Sequence, residues 1–377
     1  MRVLLVMSDT GGGHRSMSLA VRDALLRLAP EGIEPHIVDV FALERPTIFD
    51  RITRLYSPVI RHAPRLYGWA FHLTNRPRVY QTITAQARRT LLPKVRRLLL
   101  AHQPDVLVSV HPLGNPLVLE ARRALGATVP VVAVTTELVT IHRSWVEPGI
   151  THYTTATPEA HVAVVRLGAP PDRISCPGLP IQERFGRVPT PPAEIRRGLG
   201  LDPERLTLLV MGGGEGTGGL DRLVAAIAGS GVEAQLIVVC GRNRRVRERL
   251  ARTRLAHPAA VLGFTDRMPE LMHAADLIVT KGGPQTLAEA LASGRPVVVT
   301  QTLPGQEEGN AEFIEARGAG FDGRRLPRAL WAIRRLATDP GERQAMAARA
   351  RALARPEAAT EVARTILRLG VGSHTGA

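Results

Sequence analysis

The sequence predicts an α/β protein built from two doubly wound parallel-sheet domains, and three observations predict it. Short, β-branched, nearly continuous apolar runs recur through both halves of the chain, separated by segments of helical composition. One such run in each half ends in a glycine-rich turn that leads into a helix, SDTGGGHRS at 8–16 and MGGGEGTGGL at 211–220. At 377 residues, 44% of them hydrophobic, the chain is long enough for two cores.

The elements follow in order. RVLLVM (2–7) reads as a first strand that enters the glycine turn directly and leaves no room for a signal-peptide apolar region. A helix from about Ser16 to Ala29 follows, then the strand PHIVDV, a long basic segment, and the strands DVLVSV (105–110) and VPVVAVTT (129–136). These make a first domain of 1–180. The stretch from 178 to 203 carries Pro180, Pro189, Pro191, Pro192 and Pro203, which forbid a continuous helix or central strand, so 181–205 reads as a linker. The second domain, 206–345, repeats the scheme with LTLLVM, AQLIVVC, AAVLGF, DLIVTK and RPVVVT. Beyond Leu326 the composition is helical, and for the segment 346–377 packing back on the first domain is one arrangement.

The net charge is +15, and it is localised: between Arg45 and Arg97 stand twelve Arg or Lys against one acid, Asp50. Such a bias favours a polyanionic partner, nucleic acid or anionic lipid headgroups. Aromatic residues at 4% and the lack of any nucleic-acid motif argue against the first, so no nucleic-acid partner is expected. The two cysteines, Cys176 and Cys240, have neither disulfide-framework nor metal-ligand spacing, which fits a reducing compartment, the cytoplasm. No run reaches the roughly 18 apolar residues that span a bilayer.

In the second glycine loop the backbone can turn and approach a ligand while helix N–H groups face an anion. Gly214, Gly216 and Gly219 satisfy G-x-G-x-x-G, but the acid that a dinucleotide site needs about 20 residues on is missing; Val239, Cys240, Gly241 and Arg242 stand there. A phosphate cradle and a merely tight strand-to-helix turn both remain open. In the first loop His14 is either a site group or a capping and packing histidine. One glycine loop per domain suggests two ligands meeting in a cleft, with a group transferred between them. In TKGGPQTLAEALASGRPVVV (280–299), Lys281 is the second half's only lysine, and Glu289 reads as a site group or a solvated helix charge.

Eight blocks, GGGHRS, SVHPL, TELVTIHRSW, MGGGEG, CGRN, GFTDRMPELM, TKGGPQTLAEAL and PGQEEGN, occur in an order and spacing similar to those of one family. Over residues 1 to about 325 the chain resembles the monogalactosyldiacylglycerol synthases and bacterial diacylglycerol glycosyltransferases of glycosyltransferase family 28. The resemblance implies the GT-B fold, two Rossmann-like domains facing across a cleft, with the nucleotide sugar held mainly by the second and the acceptor by the first. It places Gly212, Gly213, Gly214 and Glu215 at the diphosphate, and the charge of a departing diphosphate makes Arg242 or Lys281 a candidate further stabiliser. Phe264 and Met268 match positions at the uracil. Gly283, Pro284, Gln285 and Thr286 belong to the same nucleotide-sugar block, with Glu289 on the ribose and Gln306, Glu307 and Asn310 near sugar and diphosphate. On the acceptor side it implies Gly11, Gly12, Gly13, His111, His142 and Trp145. The base is Glu137, where relatives usually carry Asp, or His14, with His111 and His142 as lesser alternatives.

The implied reaction is an inverting transfer of a hexose, galactose or glucose, from a UDP-sugar to diacylglycerol or a similar lipid. No cofactor is required, and with no Asp-x-Asp pair in the chain, metal-independent transfer is expected. Transfer to a polyprenyl-linked intermediate and UDP-sugar binding without turnover are the other readings. Residues 46–100 interleave Arg with apolar and aromatic side chains, as in PTIFDRITRLYSPVIRHAPRLYGWAFHL. They read either as a segment lying on an anionic membrane surface or as helices with a solvated basic face. The first reading makes the protein peripheral to the inner face of the membrane.

Overall fold

The computed structural model describes residues 1–8, 12–40, 58–216, 219–253 and 255–372. The chain divides into two compact units. The first comprises Met1–Gln182, Pro304–Gln306 and the stretch from Glu357 on; the second comprises Glu183–Leu303 and Glu307–Pro356.

The first unit is built on a six-stranded sheet of β1 (Arg2–Met7), β2 (Glu34–Asp39), β3 (Val106–Ser109), β4 (Val131–Val134), β5 (His152–Thr154) and β6 (Ile174–Ser175). The order is β2-β1-β3-β4-β5-β6, and every pairing is parallel. Both faces of β1, β3 and β4 are buried, which is why their sequences are continuous apolar runs and do not alternate. The order reverses between β1 and β3, so their carboxyl ends flank the crevice where doubly wound sheets bind ligands.

Helix α1 (Gly13–Leu28) begins behind Gly12, whose φ of 81° a side chain would disfavour, and buries Met17, Ala20, Val21, Ala24 and Leu25 on one stripe. Two helices follow, α2 (Pro64–Thr74) and the longer α3 (Pro77–His102). The latter buries Thr84, Ala87, Leu91, Val95 and Leu99 at helical spacing and turns its arginines outward. Next come α4 (Gly114–Ala124), which packs on α3, and α5 (Pro158–Arg166). Of the basic segment 46–100, residues 46–57 lie outside the described residues.

The second unit opens with α6 (Pro192–Gly198) inside the stretch expected as a linker. A buried anchor holds this helix in place. Arg196 donates from Nε to the Ala274 carbonyl at 2.8 Å and from Nη2 to Asp276 Oδ2 at 2.9 Å, tying the proline-rich stretch to the second sheet.

That sheet comprises β7 (Thr207–Met211), β8 (Gln235–Val239), β9 (Ala259–Leu262), β10 (Leu277–Lys281), β11 (Val297–Gln301) and β12 (Gly320–Asp322). Its order is β12-β11-β10-β7-β8-β9, again all parallel, with the reversal between β7 and β10. The helices are α7 (Leu220–Ala228), α8 (Arg244–Arg252), α9 (Met268–Ala274), α10 (Pro284–Ala292), α11 (Asn310–Ala316), α12 (Leu326–Thr338) and α13 (Pro340–Leu353). The chain then returns to the first unit as α14 (Ala358–Gly372), which packs on α1 and receives a 3.0 Å hydrogen bond from Arg27 Nη2 at Thr360 Oγ1.

Candidate functional site

In the first unit the candidate residues gather at the carboxyl ends of β1, β3 and β4. The first turn of α1 carries His14, whose Nδ1 lies 2.7 Å from the Val110 carbonyl oxygen just beyond β3. A carbonyl oxygen only accepts, so Nδ1 carries the proton and, in the neutral ring, Nε2 keeps its lone pair. Burial lowers the His14 pKa to about 4, against smaller raising effects of the Val110 carbonyl and Asp39. The His111 ring meets the His14 ring edge-on at 4.8 Å, and burial together with the His14 charge holds its pKa well below the ordinary value. Gly12 and Gly13 form the approach to this helix; Gly11 lies outside the described residues.

Beyond β4 the block 136–145 is buried. Glu137 is only 2% exposed, and burial raises its pKa to about 7, against the pull of the Thr136 and Trp145 donors and nearby backbone amides. The Thr136 backbone N–H donates to its Oε2 at 3.2 Å. Trp145 is fully buried in the adjoining 3-10 turn Arg143–Trp145. His142 caps that turn: its Nδ1 accepts from the Ser144 N–H at 3.3 Å and lies 2.6 Å from Ser144 Oγ. Its Nε2 faces Thr74 Oγ1 at 3.2 Å, so both ring nitrogens are committed to structure and His142 is poorly suited to be a base. Residues that the sequence reading passed over hold this block. Asn115, a buried polar side chain in an apolar helix, donates to the Ser144 and Trp145 carbonyls at 3.2 and 2.9 Å, and Asn75 Oδ1 accepts from the Arg143 N–H at 2.8 Å. A buried asparagine inside LGNPLVL was the one signal available.

In the second unit the candidates surround the β7/β10 reversal. Glycine is required here for close approach as well as for turning. A Cβ on Gly213 (φ +68°) would meet Lys281 Cε at 2.8 Å, and one on Gly241 (φ +54°) would fall 2.4 Å from the Gly214 carbonyl oxygen. The loops after β7 and β8 are therefore backbone against backbone, joined by the Arg242 N–H to the Gly214 carbonyl at 2.9 Å. The Arg242 side chain pairs with Glu215 at 3.3 Å and lies over the Phe264 ring, 4.7 Å from its centroid. Phe264 is 63% exposed, which leaves its ring available to a second partner. Met268 opens α9 nearby in sequence.

Lys281 Nζ lies 2.7 Å from Glu307 Oε1, while Glu307 Oε2 accepts from the Leu303 N–H at 2.8 Å. The buried Asn310 donates to the Gly282 carbonyl at 2.8 Å, and Gln285 donates to Glu289 Oε1 at 3.0 Å. Glu289 is buried, so it is not a solvated helix charge. Gly219 and Gly283 stand at the N-termini of α7 and α10, and neither end has a side-chain cap. Pro284 has no N–H, so the first amide donors of α10 are those of Gln285 and Thr286. Gln306 stands apart: it belongs to the first unit, where the Tyr67 hydroxyl donates to its Oε1 at 2.9 Å. Among the described residues no three His, Cys, Asp or Glu side chains converge as a metal site, and no helix is long and apolar enough to cross a membrane.

Residues 14–181 match the family described as monogalactosyldiacylglycerol (MGDG) synthase, and residues 207–361 match the glycosyltransferase family 28 C-terminal domain. The monogalactosyldiacylglycerol synthase of Spinacia oleracea is 32% identical over 85% of this chain, which spans 63% of that protein's length. A probable monogalactosyldiacylglycerol synthase 2 of Oryza sativa subsp. indica is 33% identical over 97% of this chain and 80% of its own. Among solved structures, Acinetobacter baumannii MurG superposes with a TM-score of 0.61 at 19% identity, covering 97% of this chain and 99% of that one, which shows the shared GT-B fold. The chain belongs to the monogalactosyldiacylglycerol synthase family.

Proposed function

We propose that the protein is an inverting glycosyltransferase that moves a hexose from a UDP-sugar to the hydroxyl of diacylglycerol or a closely similar lipid. The relatives' name supports the product class. The observation that carries the catalytic part is His14, a histidine held neutral by burial with its one N–H tied to Val110. Its Nε2 takes the proton of the acceptor hydroxyl as that oxygen attacks the anomeric carbon. The bond from that carbon to the diphosphate breaks on the opposite face, and UDP leaves with the electron pair. Glu137, 2% exposed, acts from within the fold, where it accepts from the Thr136 backbone N–H, with His14 as the base.

The leaving diphosphate gains charge as the bond breaks. Backbone amides of the Gly212–Gly214 loop and the uncapped N-termini of α7 and α10 supply fixed donors for it, with Arg242 and Lys281 adding cations. Each of these cations is paired with a carboxylate, Glu215 or Glu307, and a bound diphosphate would share it with that partner. Uracil stacks on Phe264, and Glu289 holds ribose hydroxyls. The transfer as written asks for one base and a set of diphosphate donors and for no metal. The basic helices α2 and α3 bring the enzyme to the inner face of an anionic membrane, where its acceptor resides.

Incubation of the folded protein with UDP-galactose, UDP-glucose or UDP-N-acetylglucosamine and diacylglycerol liposomes, read by product mass, tests this reading. A hexosyl-diacylglycerol supports it, and no glycolipid from any donor overturns it.

A further inference from the structure

Helix α2 grips one short segment of its own unit, Pro304–Gln306, through Tyr67, Gly68 and Phe71. Gly68 is buried because Pro304 takes the space of its missing side chain: a Cβ there would fall 2.4 Å from Pro304 Cβ. One residue on, Gly305 returns the arrangement. Its φ is +84°, and a Cβ on it would press on the Phe71 ring at 2.6 Å. Two glycines, one on each partner, bring helix and segment into close contact, and a side chain at either would push them apart.

The polar part of this contact fixes an amide. The Tyr67 hydroxyl donates to Gln306 Oε1 at 2.9 Å. Oxygen and nitrogen branch from one planar carboxamide carbon, so an oxygen turned to Tyr67 turns Nε2, with its two N–H donors, away from it. Without the phenol, the amide can rotate by half a turn and present an acceptor in place of a donor. The next residue along the chain is Glu307, which pairs at 2.7 Å with Lys281, one of the two cations proposed for the diphosphate. Consecutive Cα atoms lie about 3.8 Å apart, so a donor on Gln306 is within the span of a hexose carried by that diphosphate.

We propose that Tyr67 is a positioning residue for the donor sugar: it holds the Gln306 carboxamide so that Nε2 donates to a hydroxyl of the hexose. The inference rests on the UDP-hexose reading and adds to it the residue that orients the sugar contact. Tyr67 acts through Gln306 and does not touch the reacting atoms. A hydroxyl accepts such a donor and a deoxy position does not, so the device reads the hexose and contributes nothing to UDP without its sugar.

Calorimetry on the full chain, with no acceptor present, tests this without relying on turnover. The quantity read is the Kd of UDP-galactose or UDP-glucose, whichever binds the intact protein more tightly, divided by the Kd of UDP. Tyr67→Phe keeps the ring beside Phe71, 6.5 Å between centroids, and so preserves the packing. It should raise the ratio by about three- to tenfold, the worth of one neutral hydrogen bond, with the Kd of UDP at the wild-type value. Gln306→Met keeps the shape of the side chain without its amide and should raise the ratio at least as far. Adding Tyr67→Phe to Gln306→Met should change nothing more, because the tyrosine then has no amide to orient. An unchanged ratio in Tyr67→Phe, equal weakening of UDP and UDP-hexose, or a further loss in the double variant overturns the positioning role. Heat with UDP and an unchanged ratio leaves the donor reading standing; no heat with UDP overturns that reading and the positioning role with it.

Discussion

The imidazole of His14 and the carbonyl of Val110 meet at 2.7 Å, joining the helix after β1 to the loop after β3 across the reversal of the first sheet. This single contact fixes the tautomer, and burial keeps the ring uncharged down to a pKa of about 4. Glu137, the other candidate base, is pushed the opposite way, to about 7. The two candidates therefore make opposite forecasts.

A base works only when deprotonated, so the rate falls as pH drops through its pKa. With His14 as base, kcat/KM should stay level from pH 8 to pH 5.5 and fall on approaching about 4. A fall centred near pH 7 would assign the base to Glu137. His14→Ala should lower kcat by about 10²–10⁴-fold and leave UDP affinity unchanged.

Glu137→Gln separates structure from chemistry through stability. The carboxyl is raised from 4.5 in the unfolded chain to about 7 when folded, so the native state binds the extra proton between those values. Stability is therefore full below pH 4.5 and lost as pH rises through 7. The loss corresponds to about 3 kcal/mol as an upper order of magnitude. Glu137→Gln should melt close to wild type at pH 4.5 and above it at pH 8; equal melting shifts at both pH values would show that the carboxyl does not titrate in this range. Its turnover should fall by less than about tenfold, since the amide preserves the shape of the buried site.

Gly241→Ala should destabilise the second unit by about 1–3 kcal/mol, because its Cβ would press on the Gly214 carbonyl at a positive φ. Since the obstacle is backbone, the β7 loop must shift, and UDP binding should weaken with it. Calorimetry with UDP and thermal melting of the same variant check both effects, and wild-type values in both would mean that the two loops are not coupled.

Phe264→Ala tests the exposed ring under Arg242. Its side chain is largely in solvent, so stability should change by less than about 0.5 kcal/mol. Loss of a stacking face should weaken UDP by about 1–3 kcal/mol. A Kd equal to wild type would remove Phe264 from the uracil site.

The buried strands could be read because both faces of each are covered, which leaves continuous apolar runs at β1, β3, β4, β7, β8, β10 and β11. Strands β5, β6 and β12, of two or three residues, passed unseen because so short a run has no period of its own. Helix α1 starts three residues earlier than its apolar pattern, since Gly12 and not the hydrophobic stripe sets its first turn. Glycine loops announce themselves by residue type. Their partners do not: Lys281 to Glu307, Arg242 to Glu215 and Asn75 to Arg143 join positions 26 to 68 residues apart, and only the folded topology brings them together. The prolines of 181–205 announce themselves by residue type, whereas the buried anchor at Arg196 leaves no local mark.

The anomeric configuration of the product tests the central claim most directly. Folded protein supplied with the α-linked donor UDP-galactose and diacylglycerol vesicles should yield a β-galactosyl lipid, one UDP released for each molecule formed, as read by proton NMR and nucleotide assay. An α-linked product, or UDP release with no glycolipid, would contradict a single displacement driven by His14.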